Sequence, residues 1–199
     1  MRRDRFPVAT QHAVVVPVRA FALGKARLAS RLDDDARTAL ARRMADRVLD
    51  AVGDHPVAVV SDAPEVREWA QARGASVLGD PGSLDGAARA AVAWADAQGL
   101  RRVVIVHADL PRAQTLAPLT RDGSLPIMAV VPCHRDDGTP AMSLPLPLPS
   151  GFSFAYGPGS FRAHVASARR AGLAVRVVRD ADLGFDVDVP DDLDVLSRA

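Results

Sequence analysis

Cysteine is nearly absent. Cys133 is the only one, so no intramolecular disulfide can form, and a reducing cytoplasm is the expected compartment. Long apolar runs are missing too. The stretch after His12 is broken at Pro17, too soon for a signal-peptide core or a membrane span. Charge of one sign is not in excess: 25 basic residues face 24 acidic ones, scattered through both halves, with a net charge of +1. That balance lacks the basic stripe of a nucleic-acid binder, so neither nucleic acid nor membrane is expected as a partner. His12, His55, His107, His134 and His164 have no zinc-ligand spacing with Cys133. No Gly-x-Ser-x-Gly elbow marks a hydrolase, although a dispersed triad is not excluded. Lysine is the other scarcity. Lys25 is the only one, and the remaining 24 basic residues are arginine. In an alanine-rich chain, coding bias favours arginine wherever a surface cation suffices. A compact ammonium that must reach a phosphate is not replaceable in that way, so chance survival and function weigh evenly here.

What is present is enough for a core. The 199 residues are 48% hydrophobic, and a chain of this size buries roughly 70% of its unfolded surface. Residues 1–12 read as a flexible tail and 13–199 as a single domain. Apolar, β-branched runs predict strands at 13–18, 57–60, 75–78 and 103–107. Helices are expected between them over 36–52, 63–73 and 84–97, the first with Leu40, Met44, Val48, Leu49 and Val52 on one face. Trp69 and Trp94 fall in these helices and read as core. The order β-α-β-α-β-α-β predicts a Rossmann-like α/β domain with a mainly parallel sheet. The second half is less regular. Strands are expected at 127–131, near 141–144 and at 174–178, with one antiparallel member. A helix over 161–171 has Ser160 as its N-cap, and a short last helix around 193–196 is started by Pro190.

Five segments could carry chemistry. Asp109, in His107-Ala108-Asp109-Leu110-Pro111, follows the fourth strand, where ligands gather in open α/β sheets. The competing reading is a cap on a helix starting near Pro111. In Phe185-Asp186-Val187-Asp188-Val189, extended backbone sends Asp186 and Asp188 to one face and the apolar residues to the other. Paired carboxylates repel unless a cation or proton lies between them, and magnesium takes one or two such groups plus phosphates. Asp191 and Asp192 suit the first turn of the last helix. Gly24-Lys25-Ala26-Arg27 is not a Walker A loop, but its position suits neutralising a triphosphate. Tyr156-Gly157-Pro158-Gly159-Ser160 lets backbone approach an anion at a helix start, and is equally an ordinary capped turn. Asp136-Asp137-Gly138-Thr139-Pro140 says only turn.

Taken in order, these segments resemble the guanylyltransferases of coenzyme F-420 biosynthesis, the CofC or FbiD family. The carriers are Val16-Pro17-Val18, Gly24-Lys25-Ala26-Arg27-Leu28, Ala108-Asp109-Leu110-Pro111, Gly138-Thr139, Tyr156 to Phe161 with His164, and Asp186-Val187-Asp188 with Pro190 and Asp192-Leu193. The resemblance implies a fold of the nucleotide-diphospho-sugar transferase (GT-A-like) type. It implies transfer of GMP from GTP to 2-phospholactate, phosphoenolpyruvate or 3-phosphoglycerate, with release of pyrophosphate. It also implies a Mg2+ site at Asp109, Asp186 and Asp188, acid contacts at Thr139, Gly157 and Ser160, and Lys25 near the triphosphate. Two departures bear on substrate choice. Pro140 stands where the family usually has asparagine, and Asp85, at the nucleotide side, replaces another. Other readings are a different nucleotidyl- or glycosyltransferase with a paired-acid site, or a non-catalytic nucleotide-binding paralogue. The sequence leaves a homodimer open.

Overall fold

The computed structural model describes residues 11–121 and 125–198, so most of the expected tail lies outside the described residues. His12 already belongs to the first strand. The strands are β1 (His12–Pro17), β2 (Val57–Val60), β3 (Ser76–Leu78), β4 (Arg102–Val106), β5 (Ile127–Val131), β6 (Ala141–Pro145) and β7 (Ala174–Val177). The helices are α1 (Asp34–Ala51), α2 (Pro64–Ala72), α3 (Leu84–Ala97), α4 (Ala117–Thr120), α5 (Ser160–Arg170) and α6 (Pro190–Ser197). They build one mixed sheet in the order β3-β2-β1-β4-β6-β5-β7. Only β6 runs against the rest, pairing antiparallel with both β4 and β5, as the sequence pattern predicts.

Both faces of this sheet are covered. Along β1, Val14 and Val16 face a core shared with Val48 and Leu49 of α1 and Val66 and Trp69 of α2. Ala13 and Val15 face the other side, with Ala87 and Ala91 of α3 and Ala168 of α5. Strands buried on both faces need continuous apolar sequence, which is why the period-two signal is missing from β1 and β4. The α1 pattern holds: Leu40, Met44, Val48, Leu49 and Val52 are all buried, and Asp33 caps the helix by accepting from the Ala36 N–H at 2.8 Å. Alanines let α3 approach the sheet closely, and Ser83 caps it through the Gly86 N–H at 3.1 Å.

Two local expectations change, and a third holds outside the sheet. No helix begins at Pro111; residues 111–112 form a turn and α4 starts only at Ala117, so Asp109 is not a helix cap. Ser160 is not the N-cap of α5. Gly159 is, at φ 73°, and Ser160 is the buried first residue of the helix. Residues 185–189 alternate as expected, with Phe185 and Val187 buried beneath α1 and Asp186 and Asp188 turned away, but the segment joins no sheet. It docks by one backbone bond, from the Val187 N–H to the Asp109 carbonyl at 3.3 Å.

Reversal of β6 matters for the site. An antiparallel strand starts where its parallel neighbours end, so Thr139 and Pro140 sit at the carboxyl end of β4. The His107 N–H closes this junction on the Pro140 carbonyl at 2.8 Å. Among the described residues, no helix is long and apolar enough to cross a membrane.

Candidate active site

Lys25, Asp109, Asp186 and Asp188 meet at the carboxyl ends of the strands although they are far apart in sequence. Lys25 follows β1 and has left-handed backbone at φ 58°, a conformation rare for a residue with a Cβ and concentrated at functional positions. Its ammonium donates to Asp109 Oδ2 at 2.6 Å and to Asp188 Oδ1 at 3.0 Å. Burial alone would pull the Lys25 pKa down. The charges of Asp109 and then Asp188, with their hydrogen bonds, outweigh it and hold the pKa above the ordinary lysine value. For Asp109 burial pushes upward, but the charges of Lys25 and His107 and the Lys25 hydrogen bond hold its carboxyl below the usual range.

Asp186 is the frustrated member. Burial, followed by the negative charges of Asp109 and Asp188, raises its pKa, and the nearby His134 only partly offsets them. His134 Nδ1 lies 3.1 Å from Asp186 Oδ1. Asp192 does more than occupy the first turn of α6. Its buried Oδ2 accepts from the N–H of Asp188 at 2.7 Å and of Val189 at 2.9 Å, fixing the backbone that presents Asp188. Its other oxygen meets Arg135 and lies 3.4 Å from His134. Burial raises the Asp192 pKa, but the two N–H groups, Arg135 and His134 together bring it below the usual value. Gly184 is required nearby. A Cβ there would stand 2.8 Å from the Asp180 carbonyl and 3.0 Å from that of Pro132, where the chain turns in to reach the His134 N–H.

These donors fit a hard divalent cation. Among the described residues Asp109 Oδ1 is buried with no hydrogen-bond partner, and the repulsion of Asp186 by Asp109 and Asp188 is only partly offset by His134. Among the described residues, no three ligating side chains are already drawn together as a cage. Instead, the ammonium of Lys25 fills the role of counter-cation. Magnesium usually takes one or two carboxylates and completes its shell with water and phosphate oxygens, so a preformed cage is not needed.

The second group of predicted residues also comes together. Ser160 Oγ donates to Thr139 Oγ1 at 3.3 Å, and Thr139 Oγ1 lies 3.0 Å from His164 Nδ1. Gly157, at φ 128°, and Gly159 shape the turn entering α5, and Asp137 ties it to the β5–β6 turn by accepting from the Gly159 N–H at 2.9 Å. His107 borders both groups: its charge acts on Asp109 and on His164, and its ring packs 5.4 Å from Tyr156. Among the described residues Tyr156 Oη and His107 Nε2 are buried without hydrogen-bond partners. Asp85 stands beside this second group: its Oδ1 accepts from the Tyr156 N–H at 2.8 Å, tying the start of α3 to the Gly157 turn.

The profile of the CofC-like guanylyl transferases matches residues 12–197. The chain belongs to the CofC-like guanylyltransferase family. A phosphoenolpyruvate guanylyltransferase of Sphaerobacter thermophilus is 38% identical over 194 residues, spanning 92% of this chain and 91% of its own. A 2-phospho-L-lactate guanylyltransferase of Methanothermobacter thermautotrophicus is 30% identical over 185 residues, spanning 90% and 81%. The fold is shared with a Desulfovibrio desulfuricans protein assigned to the nucleotide-diphospho-sugar transferases, with a TM-score of 0.71 at 19% identity over 95% of this chain and 87% of that one. The guanylyltransferase therefore has the α/β nucleotidyltransferase architecture that the family resemblance implies, on the Rossmann-like sheet its strand order predicts.

His134, Arg135 and Asp192 are the residues that sequence reasoning did not place in the site. Asp192 carried a signal, since it completes Asp-x-Asp-x-Pro-Asp-Asp, but a helix-cap role accounted for it. His134 and Arg135 carried none, because only the β5–β6 turn brings them to Asp186 and Asp192.

Proposed function

We propose that this protein transfers GMP from GTP to phosphoenolpyruvate in a magnesium-dependent reaction in the cytoplasm, releasing pyrophosphate. The choice of acid rests on the more similar of the two relatives described above, which is named for phosphoenolpyruvate. Asp109, Asp186 and Asp188 would hold the metal, which supplies charge neutralisation at the phosphates when bound. A phosphate oxygen of the acid attacks the α-phosphorus of GTP; a new P–O bond forms and the bond to the bridging oxygen breaks in line. The nucleophile is already anionic near neutral pH, so no general base is needed, and catalysis is positioning plus electrostatics. Lys25 offsets the charge of the departing pyrophosphate. Thr139, Ser160 and the backbone of Gly157 hold the acid.

The observation that carries this reading is the ammonium of Lys25 standing between Asp109 and Asp188. A cation suited to a triphosphate, standing among hard oxygen donors, supports this reading. Asp188→Asn tests it. Turnover with GTP, magnesium and phosphoenolpyruvate should vanish while the thermal midpoint stays within a few degrees. Near-normal turnover in a folded variant would overturn the assignment.

A further inference from the structure

The buried imidazole of His164 touches no part of the metal group, yet both of its nitrogens are used. The Ala155 N–H donates to Nε2 at 3.0 Å, so Nε2 carries no proton. In a neutral ring the proton is then on Nδ1, which must donate to Thr139 Oγ1 at 3.0 Å. Burial, with a smaller push from His107 and against the pull of Asp85, lowers the His164 pKa to about 4, so the ring is neutral wherever the protein is folded near neutral pH. The Thr139 oxygen has two lone pairs. One takes the His164 N–H and the other takes the Ser160 hydroxyl, 3.3 Å away. What remains on Thr139 is its own O–H, a donor with no acceptor left to it among these three side chains.

We infer that His164 is a positioning residue: through its Nδ1–H it saturates the Thr139 oxygen and fixes that hydroxyl as a donor toward an anionic oxygen of the acid substrate. The inference rests on the proposed role of Thr139 in holding the acid. A free hydroxyl can rotate and offer either a proton or a lone pair, and an anion wants only the proton. The chain from Ala155 N–H through His164 to Thr139 removes the wrong choice before the acid arrives. Because Ala155 immediately precedes Tyr156 and Gly157, the same chain also couples the hydroxyl to the turn beside the acid.

The direct test needs no variant. Long-range 1H–15N spectra of the free enzyme at neutral pH should show His164 as the neutral Nδ1–H tautomer; the Nε2–H tautomer or an imidazolium would overturn the inference. Kinetics provide the second test. The amide nitrogen of asparagine overlays Nδ1 and the amide of glutamine overlays Nε2. His164→Asn therefore keeps the donor to Thr139, while His164→Gln loses it. His164→Gln should raise the KM for phosphoenolpyruvate about ten-fold or more, as expected for losing one hydrogen bond to a charged group, and leave the KM for GTP unchanged. His164→Asn should restore most of the loss. Added to Thr139→Val, His164→Gln should have no further effect on the acid KM. If Thr139→Val itself leaves the acid KM unchanged, Thr139 does not hold the acid and the inference falls with that reading. If Thr139→Val raises it and His164→Gln does not, or the two effects add, only the role of His164 is overturned.

Discussion

The ammonium of Lys25 lies 2.6 Å from Asp109, 84 positions away in sequence, and the same nitrogen reaches Asp188 at 3.0 Å. The side chain of Lys25 is only 10% exposed, so this cation is enclosed by the carboxylates it neutralises. Replacing it by methionine removes the ammonium that pairs with Asp109 and Asp188. In chelator, Lys25→Met should lower unfolding free energy by about 1–3 kcal/mol, since breaking a partly buried pair strands its partners. Magnesium should restore part of the loss. Denaturant titrations with and without the metal would show this, and unchanged stability in chelator would contradict it.

Asp186 should behave in the opposite way. Burial and then the charges of Asp109 and Asp188 raise its folded pKa above the unfolded value, so ionising it costs stability. The cost is absent at pH values below the ordinary aspartate range, where both states are protonated, and is complete above the raised pKa. Asp186→Asn should therefore stabilise the metal-free protein at pH 7, a difference that fades in acid. It should also abolish the magnesium-induced rise in thermal midpoint. Melting curves across pH, with and without magnesium, check both parts.

For Asp192 the sign reverses again. Its carboxylate is held below the usual pKa because the two N–H groups, Arg135 and His134 outweigh burial. Its contribution is present above the unfolded pKa and is lost as pH falls through the depressed folded value. Asp192→Ala removes the acceptor from the N–H groups of Asp188 and Val189 and should cost about 2–4 kcal/mol. Turnover should fall as well, because Asp188 loses its fixed backbone. Asp192→Asn retains one oxygen for those N–H groups and should lie between Ala and wild type in stability.

Asp85 offers an isosteric comparison. Its Oδ1 accepts from the Tyr156 N–H, and an asparagine has an oxygen in the same place. Asp85→Asn should change the KM for the acid less than about three-fold, whereas Asp85→Ala should raise it by about ten-fold. Steady-state kinetics with the acid varied at saturating GTP distinguish the two.

The sheet was legible in sequence because its signals are local. β-branched runs such as Ala13 to Val18 mark strands, and glycines at 74, 99 and 172 mark helix ends. Position in the strand order then puts Asp109 beside the ligand crevice. Alternation put Asp186 and Asp188 on one face and held without a ladder, because Phe185 and Val187 are anchored in a small core beneath α1. Side-chain partnerships were not legible. Nothing near Asp192 in sequence reveals that Arg135 and His134 reach it across 57 and 58 positions, and nothing near His164 reveals Thr139. The Ser160 cap was misread for a related reason. Gly159 supplies a left-handed entry that needs no hydroxyl, which releases Ser160 to bond Thr139 instead.

The most direct test of the whole account is pyrophosphate release. The protein would be incubated with GTP and magnesium and with phosphoenolpyruvate, 2-phospholactate or 3-phosphoglycerate in turn, and the product's mass recorded. The account predicts stoichiometric pyrophosphate and a guanylated acid, with phosphoenolpyruvate turned over fastest. Binding of GTP without pyrophosphate release from any of the three acids would contradict it.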